Sequence, residues 1–446
     1  MSEQVERDAL VIGGNLAGIS IAHWLASFGY RTTLFEKAPF LGGVDGSFEN
    51  ELGRTFDFGV HALDHGRNEF VTRLMEKAVR GKYRRLPKRR AILLGGHMIP
   101  YNAPLALWPD DLRALFRAGE IVDDLGTDPP TREALGRIYG ERWADYVFDE
   151  ILASYPAEQL QTQFGVDESQ LLVNIYPWFF PRVERRGRKD DAHHRYQTKV
   201  RSEGGEHVIY PESGGFVGFA QGLADVAVEH GAELLVGAND LEVELDDERR
   251  RVRAVHAGGR RFTAPRVYWC GPPKVLLQLL GAPYFDATPE TFALGSFQFE
   301  RPVTCEYLEL IGGDRRHLIK RASFPGKLQG GPDDLVQIEY HFPRGDEQSG
   351  TEQYRTERSW WLESWLESLR ALGIVERDNE VRSLDLKLIP MHYNGFGIEG
   401  QPTPEVELPD LPDDTNLRPV LPSYRKININ TRLPQYLRYL AEDLTR

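Results

Sequence analysis

The chain has 446 residues and carries 54 Lys and Arg against 67 Asp and Glu, a formal charge of −13. That length exceeds one ordinary compact domain, so two or three lobes are expected. The acidic balance argues against a nucleic-acid binder, which needs cations for phosphates. Two cysteines, Cys270 and Cys305, are too few for a disulfide framework or a multi-cysteine zinc site and fit a reducing, cytoplasmic compartment.

Residues 9–28 are apolar enough to resemble a signal peptide or membrane anchor. The seven residues before them hold three acids and one base, where a signal needs positive charge, and Gly13, Gly14, Asn15 and Gly18 interrupt the run. A turn inside a soluble fold is the expectation, with no membrane span.

The first sixty residues speak most clearly. Residues 8–12 read as a buried strand, 13–18 as a glycine turn, 19–30 as a helix stopped at Gly29, and 31–36 as a second strand ending in Glu36. Strand, glycine turn, helix, strand and acid form the dinucleotide-binding βαβ unit. Gly13 allows the tight turn and Gly18 lets helix and strand approach. The amides of Gly14, Asn15, Leu16 and Ala17, at the positive end of the helix, suit a pyrophosphate. Glu36 is placed to accept ribose hydroxyls, with Lys37 beside it. In the pattern Gly13-x-Asn15-x-x-Gly18 the middle glycine is replaced by Asn15.

After Glu36 come Gly42-Gly43 and then Asp57-x-Gly59-x-His61. Here the chain resembles the FAD-binding flavoproteins of the amine oxidase, protoporphyrinogen oxidase and UDP-galactopyranose mutase group. The resemblance implies FAD as cofactor, close backbone approach at the Gly-Gly pair, and a path past the flavin for residues 57–61. His61 becomes a candidate catalytic or ring-contacting residue.

The remaining elements follow in order. Residues 83–117 read as a strand pair and a helix start at Trp108-Pro109-Asp110-Asp111. Residues 132–153 read as one amphipathic stretch within an insertion over 118–200. Residues 210–216 lead through Gly214-Gly215 into a helix ending at Gly231, and the resemblance places the following strand, with Asp240, beside the adenine through main-chain atoms. Residues 250–273 read as a hairpin with its tip at Gly258-Gly259, then a buried strand. Residues 295–345 alternate as strands. The helix 359–374 directs Trp361, Trp365 and Leu369 to a core. Strand 416–420 and helix 432–444 close the chain. The resemblance puts Tyr424, Asn428 and Asn430 near the isoalloxazine, although the family's Gly-Arg turn is missing there. His392 and Tyr393 fall near the substrate-side strand as an acid/base pair or an aromatic wall.

The fold expected is α/β: an FAD-binding Rossmann-like (GR2-type) domain with a mixed-sheet substrate domain and a helical insertion. The FAD domain is expected over 1–82, 201–290 and 401–446, the substrate-side strands and helical lobe over 83–200, and the substrate sheet and helix over 291–400. The resemblance implies an FAD-dependent oxidoreductase of amine oxidase type, with hydride transfer from a small molecule to flavin N5. The alternatives are a non-redox sugar mutase using reduced flavin and a family member with altered flavin binding. Basic runs at 80–90 and 182–201 read as solvated surface charge partnered by the acidic excess elsewhere, with an electropositive mouth for an anionic substrate as the alternative. No metal is expected; His193-His194 has no third ligand at a recognisable spacing.

Overall fold

The computed structural model describes residues 3–59, 61–116, 132–151, 207–282, 290–314, 316–341, 356–391, 411–412, 414–420 and 429–445. Five strands make a parallel sheet in the order Glu233–Val236, Thr32–Glu36, Ala9–Ile12, Val267–Trp269, Leu417–Pro419. The run Ala9–Ile12 is apolar at every position because both faces are covered. Ala9 and Val11 pack beneath the helices Leu16–Ser27, Val217–Glu229 and Ile429–Thr445, while Leu10 and Ile12 meet the 252–263 hairpin and the helix Pro273–Leu280. Segments far apart in the chain thus build one parallel sheet.

A second, mixed sheet has seven strands in the order Val381–Met391, Glu290–Phe299, Leu335–His341, Arg321–Ser323, Glu309–Gly312, Arg90–Leu94, His97–Pro100. Strand alternation gives it two unlike faces. Phe297, Phe299, Leu310, Ala322, Val336 and Ile338 pack on Trp361, Trp365 and Leu369 of the helix Arg358–Ala371. That tryptophan face is therefore core, and Trp365 Nε1 donates to the Leu318 carbonyl at 2.7 Å. The opposite face carries Ser296, Gln298, Glu309, Ser323, Gln337 and Glu339, all buried. A short sheet of Leu63–Asp64, His207–Pro211 and Tyr83–Pro87 links the two halves.

Two elements in the later part of the chain differ from the sequence reading. The stretch at 132–153 is broken into helices Arg132–Tyr139 and Glu141–Tyr146, followed by a π turn at Val147–Ile151. Gly140 stands between them at φ 102°, a conformation open to glycine and foreign to a helix. The closing helix starts at Ile429, three residues ahead of the expected start, so Pro434 lies inside it. Among the described residues, no helix is long and apolar enough to cross a membrane.

Candidate functional site

The glycine turn lies at the carboxyl end of the parallel sheet. The helix begins at Leu16, earlier than the sequence suggested, because Asn15 acts as its N-cap. Asn15 Oδ1 accepts from the Gly18 N–H at 3.1 Å, and its Nδ2 donates to the Cys270 carbonyl at 2.7 Å. The side chain that replaces the middle glycine is thus held by the protein itself. Gly18 is required here, since a β-carbon on it would overlap the Gly13 carbonyl oxygen.

Glu36 reaches back under this turn. Its carboxylate accepts from the Gly14 N–H at 2.6 Å and the Ala38 N–H at 2.7 Å. Lys37 beside it is exposed. The Gly42 N–H donates to the Gly14 carbonyl at 2.8 Å, and Gly42 bridges to Asn15, so the Gly42-Gly43 pair is laid against the turn. Leu16 and Asp45 lie with Phe216 and Phe219 around a narrow apolar gap, too small for a water molecule, beside the first turn of the helix.

Beyond the pair, the chain turns through Asp57 to His61. Asp57 is buried and gathers three donors: Ser47 Oγ at 2.6 Å, the Phe216 N–H at 2.9 Å and Tyr210 Oη at 2.8 Å. Burial pushes its carboxyl above the usual range, while His61 and these donors pull it back. His61 stacks on Phe216 with ring centroids 5.2 Å apart. Its Nε2 lies 4.0 Å from Asp45, and its buried Nδ1 has no hydrogen-bond partner among the described residues. Asp45 also meets Arg432 Nη2 at 3.5 Å.

The polar face of the seven-stranded sheet lies against this segment. Gln337 Nε2 donates to the Asp57 carbonyl at 2.8 Å, and a β-carbon on Gly59 would lie 3.0 Å from Glu339 Oε1. Arg321 Nη2 pairs with Glu309 at 2.7 Å, and its Nη1 lies 3.7 Å from Glu339. Arg90 also pairs with Glu309. Burial alone would raise the Glu309 carboxyl, but Arg90 and Arg321 outweigh it and hold the group below its usual range.

The turn residues, Glu36, Gly42, Gly43 and His61 therefore converge. The Asp240 side chain is exposed, and its carboxylate accepts from the Gly259 N–H at 3.3 Å across the hairpin tip. The backbone of Ala38, Gly237 and Ala238 lies beside Glu36, with the Ala238 N–H donating to the Glu36 carbonyl at 3.0 Å. His392, Tyr393, Tyr424 and Asn428, with the basic stretch 182–201, lie outside the described residues. Asn430 lies in the first turn of the closing helix. Sequence reasoning passed over Asp45, Arg432, Glu309, Arg321 and Glu339; a buried acid among apolar strand positions was the available signal for Glu309 and Glu339.

The 80–90 run is a set of ion pairs more than an open basic mouth. Arg80 pairs with Glu229, Lys88 with Asp64 at 2.5 Å, Arg89 with Glu306 at 3.3 Å, and Arg90 with Glu309. Both cysteines are buried and free, and burial raises both thiols, Cys305 to about 11. Among the described residues no group of three metal-ligating side chains occurs.

Residues 11–78 match the NAD(P)-binding Rossmann-like domain. The chain is similar to the chloroplastic prolycopene isomerase 1 of an Oncidium hybrid cultivar, 27% identical over 299 residues, covering 60% of this chain and 48% of that protein. It spans about half the length of the curated relatives it matches first. Among solved structures it is similar to reduced UDP-galactopyranose mutase, with a TM-score of 0.65 and 14% identity over 98% of this chain and 96% of that one. It is also similar to putrescine oxidase bound to putrescine, with a TM-score of 0.58 and 14% identity over 99% and 100% of the two chains. At such identities the likeness to these structures is one of fold.

Proposed function

We propose that this chain, a member of the FAD-dependent amine oxidase-like flavoprotein superfamily, is an FAD-dependent oxidoreductase of a small, polar, charged substrate. The observation that carries the reading is the cradle itself. Gly13 to Gly18, Glu36 and Gly42-Gly43 meet at one sheet end, opposite His61 and the polar sheet face. Leu16, Ala17 and the helix N-terminus would hold a pyrophosphate. Two Glu36 acceptor sites are taken by Gly14 and Ala38, and a carboxylate keeps others for ribose hydroxyls. Bound FAD supplies a hydride acceptor, and the protein supplies binding, orientation and electrostatics.

The polar face of the seven-stranded sheet, taken as the floor of the substrate site, supports a substrate class. Glu339 stands on the sheet face next to Gly59, and Arg321 links it to Glu309. Covering such groups with hydrocarbon would cost several kcal/mol wherever it removed a hydrogen bond. A polyene of the kind named for the isomerase relative therefore fits this floor poorly, whereas an ionised small molecule can share its hydrogen bonds and be oriented by them.

The test begins with the absorption spectrum of the purified protein, which should show bound flavin. A colourless protein that fails to bind added FAD would overturn the proposal. Bleaching under argon by a polar substrate supports oxidation. The polar floor also suits a sugar mutase; activity that appears only after prior reduction, without net electron transfer, would favour that second reading.

A further inference from the structure

His61 lies between two buried carboxylates. Its Nε2 is 4.0 Å from Asp45 Oδ1, on a side chain 7% exposed. On its other side is Glu339, 5% exposed, from the strand Leu335–His341. The two meet at Gly59, where a β-carbon would lie 3.0 Å from Glu339 Oε1, 3.3 Å from His61 Cε1 and 3.8 Å from His61 Nδ1. Gly59 has φ 142°, a conformation that residues with side chains rarely adopt. The carboxylate and the Nδ1 edge of the ring therefore face one bare α-carbon.

The Nδ1 atom is itself buried and has no hydrogen-bond partner among the described residues, which a buried ring nitrogen rarely tolerates. Nδ1 and Glu339 Oε1 approach the same point, a span that one bridging oxygen can cover. The ring is held on Phe216, whose N–H is fixed by Asp57. The charged groups around it are Asp45 backed by Arg432, Asp57 in the preceding strand, and Glu339 backed by Arg321. Through Arg321, Glu339 joins Glu309 on the polar sheet face, whereas Asp45 ends the 3-10 turn Gly43–Asp45 at the glycine pair. The imidazole thus stands between sheet face and cradle, with an acid towards each nitrogen.

We infer that His61 is a proton relay between Glu339 on the sheet face and Asp45 at the cradle. The inference rests on the oxidoreductase reading, in which removing a hydride from an N–H or O–H substrate also releases a proton. A neutral imidazole carries a proton on one nitrogen and accepts at the other. Nδ1 takes a proton from the Glu339 side, and the resulting imidazolium gives up the Nε2 proton on the Asp45 side. One N–H bond forms, one breaks, and the ring ends as the other neutral tautomer with no change in oxidation state. The reverse exchange carries a proton the other way. Asp45 positions the ring and steadies the imidazolium, and Gly59 keeps carbon out of the path.

The experiment uses the full-length protein loaded with FAD and reduced by dithionite under argon in weak buffer. Rapid mixing follows flavin bleaching and a pH-indicator dye together, and the protons of dithionite oxidation are common to all variants. In wild type the dye signal should keep pace with bleaching. Glu339→Gln and His61→Gln, whose amides cannot pass a proton, should each delay the dye signal by roughly tenfold or more while bleaching keeps its rate. Glu339→Asp should recover part of the loss. If Glu339→Gln fails to fold, His61→Gln carries the test, because Nδ1 has no hydrogen bond to lose. A dye signal as prompt as wild type in His61→Gln would overturn the inference. So would equal slowing of dye and bleaching, which would give the pair a role in holding the cofactor alone. A wild type that binds no FAD would overturn the proposed function and this inference together, and the missing flavin would tell that failure from the others.

Discussion

The Glu36 carboxylate accepts the Gly14 N–H at 2.6 Å, so the acid at the end of the second strand braces the turn after the first. Any contact with a ribose is added to this role. Glu36→Ala removes both the brace and the ribose acceptor, and leaves the Gly14 and Ala38 amides without their present partner. A loss of about 1–3 kcal/mol in stability is expected, together with a lower flavin content. Urea denaturation and the flavin-to-protein absorbance ratio check the two effects separately. Flavin content equal to wild type would remove Glu36 from the cofactor site.

Asn15 offers a case where stability and binding should move in opposite directions. Its Oδ1 occupies the Gly18 N–H, and its Nδ2 secures the Cys270 carbonyl. Asn15→Gly keeps a tolerated N-cap but loses both bonds, for a cost of about 1 kcal/mol. It also returns the Gly18 N–H to the set of amides facing a pyrophosphate. The ligand-free melting temperature should fall while FAD binds more tightly. A variant that loses FAD affinity would show that Asn15 itself contacts the cofactor.

The first helix also contains a buried histidine with a pH signature. His23 is enclosed near His230, with ring centroids 6.2 Å apart, and its Nδ1 has no hydrogen-bond partner among the described residues. Burial, then the charges of His230 and Lys77, pushes its pKa down to about 4 from an ordinary 6.5. The folded state therefore holds His23 neutral where the unfolded chain would protonate it, and stability falls as pH drops from 6.5 towards 4. About 2–3 kcal/mol should be lost between pH 7 and pH 4.5 from this group. His23→Leu should flatten that part of the profile in urea titrations; a slope unchanged by the substitution would contradict the assignment.

What the sequence revealed tracks how locally each feature is encoded. The βαβ unit, the Gly258-Gly259 hairpin tip and the Trp361–Leu369 face are all readable within a few residues of one another. The helix start was misplaced because Asn15 looks like a defective glycine motif, yet serves as a cap. The pairs Asp45–Arg432 and Gln337–Asp57 stand 387 and 280 positions apart. Their meeting depends on sheet register and helix docking, which no local pattern reports. The same holds for Glu309, whose alternation marks a strand but not what faces it. For the basic run 80–90 composition shows the cations and the acidic excess, and only the fold shows which acids meet Arg80, Lys88, Arg89 and Arg90.

Asp57 ties three such distant segments together, and this gives the last prediction. Its carboxylate receives Ser47 Oγ, Tyr210 Oη and the Phe216 N–H, while its carbonyl takes Gln337. Phe216 in turn stacks on His61, so the acid fixes the ring that supports the histidine. In Asp57→Asn one acceptor oxygen becomes an NH2 group facing existing donors, and at least one buried donor loses its partner. The expected cost is about 2–4 kcal/mol, read as a shift in the urea midpoint with little change in slope. Ser47→Ala should cost less than Asp57→Asn, because it removes one donor and leaves the carboxylate two. If the hub also positions His61, Asp57→Asn should alter the flavin absorption bands of the protein that remains folded, and Ser47→Ala should alter them less. A stability loss with an unchanged flavin spectrum would confine Asp57 to holding the segments together.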